Sequence, residues 1–271
     1  MKLTIQSIHH DLNNIHNTTP LVHNITNFVV MNSTANALLA LGASPVMAHA
    51  LEEVEEMTSM ASALVINIGT LSRTWVESMK LAMATARLNN IPVVFDPVGA
   101  GATTFRTKTC LRLLQSTNPA VIRGNASEIM ALAGAQQKTK GVDSSAAETD
   151  AEDAANELAH TYNCVVCVSG AIDLITDGKS NILVHNGEPM MPKVTGLGCT
   201  ASAVVGAFCA VNSNYLDATT NAMTVMGICG EIAAQQANGP GTLQLHFIDA
   251  LHNINNKTIA KYANVKATPE I

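Results

Sequence analysis

The sequence predicts an α/β fold, a mostly parallel sheet covered by helices on both faces, and three observations carry that expectation. Short apolar, β-branched runs alternate with longer helical patterns over residues 20–132, the mark of βαβ units with right-handed crossovers. Apolar residues make up 47% of the chain and charged residues only 13%, so either the chain is compact with a large core or some apolar surface is buried against other subunits. The chain has 271 residues and shows no repeat, low-complexity tract or linker, so residues 1–271 are expected to form a single domain.

The elements follow in order. Residues 20–23 read as a strand and 33–41 as part of a helix. A strand over 44–48 precedes an acidic-faced helix over 51–61. Strands over 64–68, 91–95 and 120–122 alternate with helices over 74–88, 108–115 and 126–132, each assigned from its apolar period. Residues 136–148 are polar and without apolar period, which predicts an exposed loop leading into a helix over 151–162. Three short runs, 164–168, 174–176 and 182–185, are separated by Ser169-Gly170 and Asp177-Gly178 and predict an antiparallel meander at one sheet edge. A strand is expected to end near Val194, and from Cys199 the pattern is helical nearly to the end. The tail after Tyr262 carries no signal.

Several functions are disfavoured at this level. Aromatic residues are 3%, the net charge is −6 and no Lys/Arg run occurs, which argues against a nucleic-acid or anionic-membrane partner. Residues 1–18 lack the apolar core of a signal peptide, and no apolar stretch approaches the ~20 residues of a membrane span, so a reducing cytoplasm is the expected location. Cys164 and Cys167 form a CxxC pair, but inside an apolar strand, where two buried side chains are expected in place of a redox or zinc centre.

Three strand ends carry chemistry. The segment Thr195-Gly196-Leu197-Gly198-Cys199 joins a strand end to an alanine-rich helix. Glycines admit close backbone approach, and the free N–H groups and dipole of a helix start favour an anion. The same field is expected to lower a thiol at Cys199; an ordinary turn with a packed cysteine is the alternative. Asn125 and Glu128 share one face of a first helical turn, where the carboxylate serves either hydrated Mg²⁺ or a capping box. Asp96 ends a strand before Pro97, a place for metal binding or for capping a turn. Ser169 ends a further strand, where Ser169-Gly170 reads as an ordinary turn.

Together these segments resemble the ribokinase-like superfamily, whose central sheet ends in a Gly-x-Gly-Asp turn with a basic aspartate. Here Gly196-Leu197-Gly198-Cys199 puts cysteine in that slot, which resembles the hydroxyethylthiazole kinase branch. The runs Pro20-Leu21-Val22-His23-Asn24-Ile25-Thr26-Asn27 and Gly42-Ala43-Ser44-Pro45-Val46-Met47-Ala48-His49 resemble the same branch. The resemblance implies a three-layer α/β/α sandwich and an ATP-dependent kinase acting on the hydroxyl of hydroxyethylthiazole. It implies Cys199 at the attacking alcohol, Arg123 and Ser169 on ATP, Met47 and Gly196 on the substrate, and Asp96 and Glu128 around Mg²⁺. Asn24 is implied to reach the substrate, while His23 and His49 are read as packing residues. A homotrimer with sites between subunits is also implied. The rivals are a hydroxymethylpyrimidine kinase, which lacks the His23 to Asn27 segment, a ribokinase-like NAD(P)H-hydrate dehydratase, which is expected to keep Asp at position 199, and a non-catalytic thiazole-binding protein.

Overall fold

The computed structural model describes residues 5–139 and 151–267. In chain order the elements are α1 (Ile5–Thr18), β1 (Leu21–Ile25), α2 (Met31–Leu41), β2 (Ser44–Val46), α3 (Val54–Met60), β3 (Ala63–Asn67) and α4 (Arg73–Leu88). Then come β4 (Val93–Asp96), α5 (Thr104–Ser116), β5 (Val121–Asn125), α6 (Ala126–Thr139), α7 (Ala151–Tyr162), β6 (Val165–Ser169), β7 (Asp173–Thr176) and β8 (Asn181–Val184). The chain closes with α8 (Leu197–Cys209), α9 (Tyr215–Gln236), α10 (Pro240–Asn253), α11 (Asn256–Tyr262) and β9 (Val265–Ala267).

One nine-stranded sheet runs β2-β1-β3-β4-β5-β6-β7-β8-β9. Its pairs from β2 to β6 are parallel, and those from β6 to β9 are antiparallel. The central strands β3 (Ala63–Asn67) and β4 (Val93–Asp96) are apolar up to their last residue because both faces are covered. Val22, Val65, Val94, Val121 and Val165 face a core built with α1, α2, α8, α9, α10 and α11. Leu64, Ile66, Phe95, Ile122 and Val166 face a second core built with α3 to α7. With so few aromatics, layers close by small residues. A Cβ on Gly206 of α8 would lie 2.8 Å from Val65 Cγ2, so this glycine lets α8 approach β1 and β3 closely.

The alternating elements and the edge meander match the sequence expectations. The differences have physical reasons. Residues 5–18 form α1, whose buried Ile8, Leu12 and Ile15 recur at helical spacing within a polar segment. No strand ends at Val194: a single 3₁₀ turn, Met191–Lys193 with Pro192 near its start, precedes it. α8 begins at Leu197, before Cys199, because Gly196 adopts a left-handed φ of 87° that turns the chain into the helix. Of the expected 136–148 loop, 136–139 complete α6, and 140–148 lie outside the described residues. The tail forms edge strand β9, pairing Val265 with Val184. Cys164 and Cys167 are buried apolar residues, and burial pushes the Cys164 thiol up to about 12. Among the described residues, no helix is long and apolar enough to cross a membrane.

Candidate active site

β1 lies between β2 and β3, so the chain leaves it in both directions and opens a crevice at the carboxyl ends of these strands. Five side chains mark that edge. Asn27 follows β1, Asn67 ends β3, Asp96 ends β4, Asn125 ends β5 and Ser169 ends β6. Register puts Asn67 beside Asp96 and Asn125 beside Ser169.

The start of α8 faces this edge. Its first turn closes with Thr200 N–H to Gly196 O at 2.8 Å, and no side chain caps it. The amides of Leu197, Gly198 and Cys199 come before the first intrahelical bond, so they form an anion-binding end. Two glycines shape it. A Cβ on Gly196 would lie 2.6 Å from Val30 Cγ1, in a backbone region that side chains avoid. A Cβ on Gly198 would lie 3.1 Å from Arg123 Nη1. Arg123 is 9% exposed; its Nη1 donates to Gly198 O at 3.0 Å, and its buried Nε has no partner among the described residues. A guanidinium with spare donors thus lies against the helix start.

Asp96 is buried at 1% exposure. Its Oδ2 accepts from Ser202 Oγ at 2.7 Å and from Asn67 Nδ2 at 2.8 Å. Burial pushes its carboxyl up to about 6, against the pull of Arg123 and these donors. Glu128 forms the capping box: its N–H donates to Asn125 Oδ1 at 2.9 Å, and its Oε2 accepts from Asn125 N–H at 2.9 Å. Its Oε1 accepts from Gly99 N–H at 2.8 Å, which fastens the turn after Asp96 to α6. The cap is therefore real, and each carboxylate oxygen keeps a further lone pair for a water. Ser169 Oγ donates to Gly124 O at 3.3 Å. Next to it, Asp173 Oδ1 accepts from Gly170 N–H at 3.0 Å, and burial pushes that carboxyl up to about 6.

Cys199 is the third residue of α8 and half-buried. Its thiol is pushed up, first by burial and then by Asp96, whereas Asn67, Asn27 and Arg123 pull it down. The expectation that the helix start lowers this thiol is corrected, because the sulfur is desolvated beside a carboxylate. Asn27 Nδ2 donates to Cys199 Sγ at 3.5 Å and to Asn67 Oδ1 at 2.9 Å.

Comparison with known proteins fits this geometry. The hydroxyethylthiazole kinase family matches residues 12–257. The chain belongs to the hydroxyethylthiazole kinase family. It is 59% identical to the hydroxyethylthiazole kinase of Oleidesulfovibrio alaskensis over 237 residues, 88% of this chain and 89% of that one. It is 52% identical to that of Syntrophus aciditrophicus, covering 98% and 99% of the two chains. Its fold superposes on the hydroxyethylthiazole kinase of Pyrococcus horikoshii with a TM-score of 0.90 at 45% identity, covering 97% of this chain and all of the other. A ribokinase-like superfamily protein of Enterococcus faecalis shares the fold alone, with TM-score 0.65 at 12% identity, covering 96% and 95%.

Within this family member, the residues singled out by sequence divide in two. Asp96, Arg123, Glu128, Ser169, Gly196 and Cys199 share the carboxyl edge, and half-buried Met47 lies just past β2 on the same edge. Asn24 instead turns inward: it is 1% exposed and its Nδ2 donates to Val22 O at 2.9 Å. The asparagine that reaches the site is Asn27, together with Asn67. No signal marked Asn67, since a lone polar residue ending an apolar strand has no motif of its own. His23 packs as expected, 0% exposed, with Nδ1 3.0 Å from Thr58 Oγ1 and Nε2 2.7 Å from Ala48 O. His49 lies 4.5 Å from the Trp75 ring centroid.

Proposed function

We propose that this family member transfers the γ-phosphoryl group of ATP to the primary alcohol of hydroxyethylthiazole. The observation that supports it best is the uncapped start of α8, with Cys199 in its first turn and the Arg123 guanidinium against it. Phosphoryl transfer needs positioning and charge neutralisation more than covalent chemistry. The amides of Leu197, Gly198 and Cys199 hold the transferring group. Arg123 and Ser169 bind the polyphosphate. Met47 and Gly196 line the acceptor's seat, a thioether suiting a sulfur-containing ring. Cys199, as thiolate, takes the hydroxyl proton while the new O–P bond forms and the bridging bond to ADP breaks.

Among the described residues, no cluster of three or more His, Cys, Asp or Glu forms a metal cage. That suits Mg²⁺, which keeps its waters and takes few carboxylates. Asp96 and Glu128 would hold it through those waters, and it would neutralise charge on the phosphates. Glu128→Gln can keep the bond from Asn125 N–H that completes the capping box, but its NH₂ then faces Gly99 N–H in place of an acceptor, so the melting temperature is expected to fall somewhat. Its activity is expected to fall at low Mg²⁺ and recover partly at high Mg²⁺, which the lost backbone bond alone would not produce. Full activity at every Mg²⁺ level makes Glu128 a cap and nothing more.

The assembly in this reading is a homotrimer with pockets between subunits. Phe28 and Val29, 64% and 69% exposed beside Asn27, support a partner surface next to the site. A cytoplasmic location is supported by six unpaired cysteines. The deciding assay incubates the chain with Mg-ATP and hydroxyethylthiazole and measures ADP and the phosphorylated thiazole. Turnover of hydroxymethylpyrimidine in place of thiazole overturns the assignment of substrate.

A further inference from the structure

Sγ of Cys199 belongs to a closed ring of contacts. Asn27 Nδ2 donates to Sγ at 3.5 Å and to Asn67 Oδ1 at 2.9 Å, which commits both hydrogens of that amide. Asn67 Oδ1 also accepts from Gly69 N–H at 2.9 Å, and Asn67 Nδ2 donates to Asp96 Oδ2 at 2.8 Å. The same oxygen accepts from Ser202 Oγ at 2.7 Å. Ser202 is three residues beyond Cys199 on α8, so the ring closes through one face of the helix. Asn27, Asn67, Asp96 and Ser202 are 5% exposed or less, and Cys199 alone is half-buried.

Two features separate this ring from ordinary polar packing. A thiol sulfur is a weak acceptor, yet a fixed amide donor in a buried place is aimed at it. Room for that amide is also reserved: a Cβ on Gly69 would lie 2.6 Å from Asn27 Nδ2.

We propose that Asn27 is a positioning residue for phosphoryl transfer that acts through Cys199. Its amide, locked by Asn67, donates to Sγ, fixes the direction of the sulfur at the start of α8 and favours the thiolate that accepts the alcohol proton. This rests on the kinase reading above. Among the charged groups that act on Sγ, Asp96 opposes ionisation and Arg123 favours it; the Asn27 and Asn67 amides act in the same sense as Arg123. The neutral donors therefore offset part of what burial and Asp96 impose on the thiol.

The test has a readout that needs no substrate. Cys199 is half-buried whereas the other five cysteines are buried, so iodoacetamide alkylation of the native chain reads Cys199. Asn27→Leu removes the donor at similar size. The midpoint of the alkylation pH curve is expected to rise by about one pH unit. Below the midpoint the alkylation rate is expected to fall about 10-fold, since the thiolate is the reacting form. With ATP and thiazole, kcat is expected to fall about 5- to 10-fold with the KM for ATP unchanged. In a Cys199→Asp background the same replacement is expected to change kcat less than about 2-fold, because a carboxylate is ionised without help. An unshifted alkylation curve, or equal losses of kcat in both backgrounds, overturns the proposal. If the unaltered chain turns over no thiazole, the kinase reading fails, while the alkylation shift still decides what Asn27 does to the thiol. Should a melting curve show Asn27→Leu unfolded, Asn27→Asp has the same size, lacks the donor and adds negative charge. It is expected to shift the curve further upward, and no shift there also overturns the proposal.

Discussion

Arg123→Met is expected to lower kcat/KM for ATP by about 10²- to 10³-fold, the usual cost of removing a fixed donor from a site of developing charge. The guanidinium is 9% exposed and lies on Gly198 O at 3.0 Å, so its charge is directed at the start of α8 with little solvent screening. Methionine fills the same length, and the helix keeps its amides. The KM for thiazole is expected to change little. Arg123→Lys should fall between, because an ammonium keeps the charge but loses the planar fork of donors. Loss confined to the thiazole KM would reverse the placement of the two ligands.

The same replacement carries a pH signature in stability. Burial holds the Asp173 carboxyl at about 6 while Arg123 pulls it down, and without that cation its value rises further. A carboxyl raised above its unfolded value of about 4 contributes stability at low pH that is lost as pH rises through its folded value. Arg123→Met is therefore expected to melt below the unaltered chain at pH 7–8, with the gap narrowing towards pH 4. Asp96, also held at about 6 by burial and pulled down by Arg123, adds to the gap in the same direction, so a gap constant with pH would mean that Arg123 acts on neither carboxylate.

The fold was legible where sequence periodicity matches burial. Strands buried on both faces read as continuous apolar runs, and the turns Ser169-Gly170 and Asp177-Gly178 marked the edge meander. α1 was missed because ten of its residues are polar-looking context for three buried apolar side chains, about one per turn. β9 was missed because a three-residue edge strand takes its identity from its partner β8, a contact that no local pattern encodes. At the site, positions fixed by short motifs were legible. Gly196 and Cys199 follow from the turn, and Asn125 with Glu128 from their spacing. Groups fixed by long-range contact were not: Asn27 reaches Cys199 across 172 positions, and Asn67 reaches Asp96 across 29. The direction of the Cys199 titration differs from the sequence expectation for the same reason, since the burial that chiefly raises it, and the Asp96 carboxylate on β4 that adds to it, come from long-range packing and not from its own helix.

Cys199 carries the second large effect. Cys199→Ala is expected to lower kcat about 10²-fold, the lower end of what a positioned base contributes. ATP binding should persist, because the backbone amides at the start of α8 and Arg123 remain. Stability should change little, as the side chain is small and half-buried. Cys199→Asp is expected to remain an active kinase, and the pH profile is what separates a base from a spacer. Burial and Asp96 push the thiol above its ordinary value, so the unaltered chain should speed up as pH rises through neutrality and level off only in the alkaline range. A carboxylate at the same place starts from about 4 where a thiol starts from about 8.5, so even with burial and Asp96 pushing it up it ionises well below the thiol. The rising limb of Cys199→Asp should then lie several pH units to the acid side, leaving its rate flat across neutrality. The measurement is kcat at saturating ATP and thiazole from pH 5 to 10 for all three proteins, each with a melting curve. A folded Cys199→Ala that keeps the full rate, or an Asp variant with the same alkaline limb as the unaltered chain, would remove the proton from Cys199 and leave it a spacer in the phosphate-binding turn.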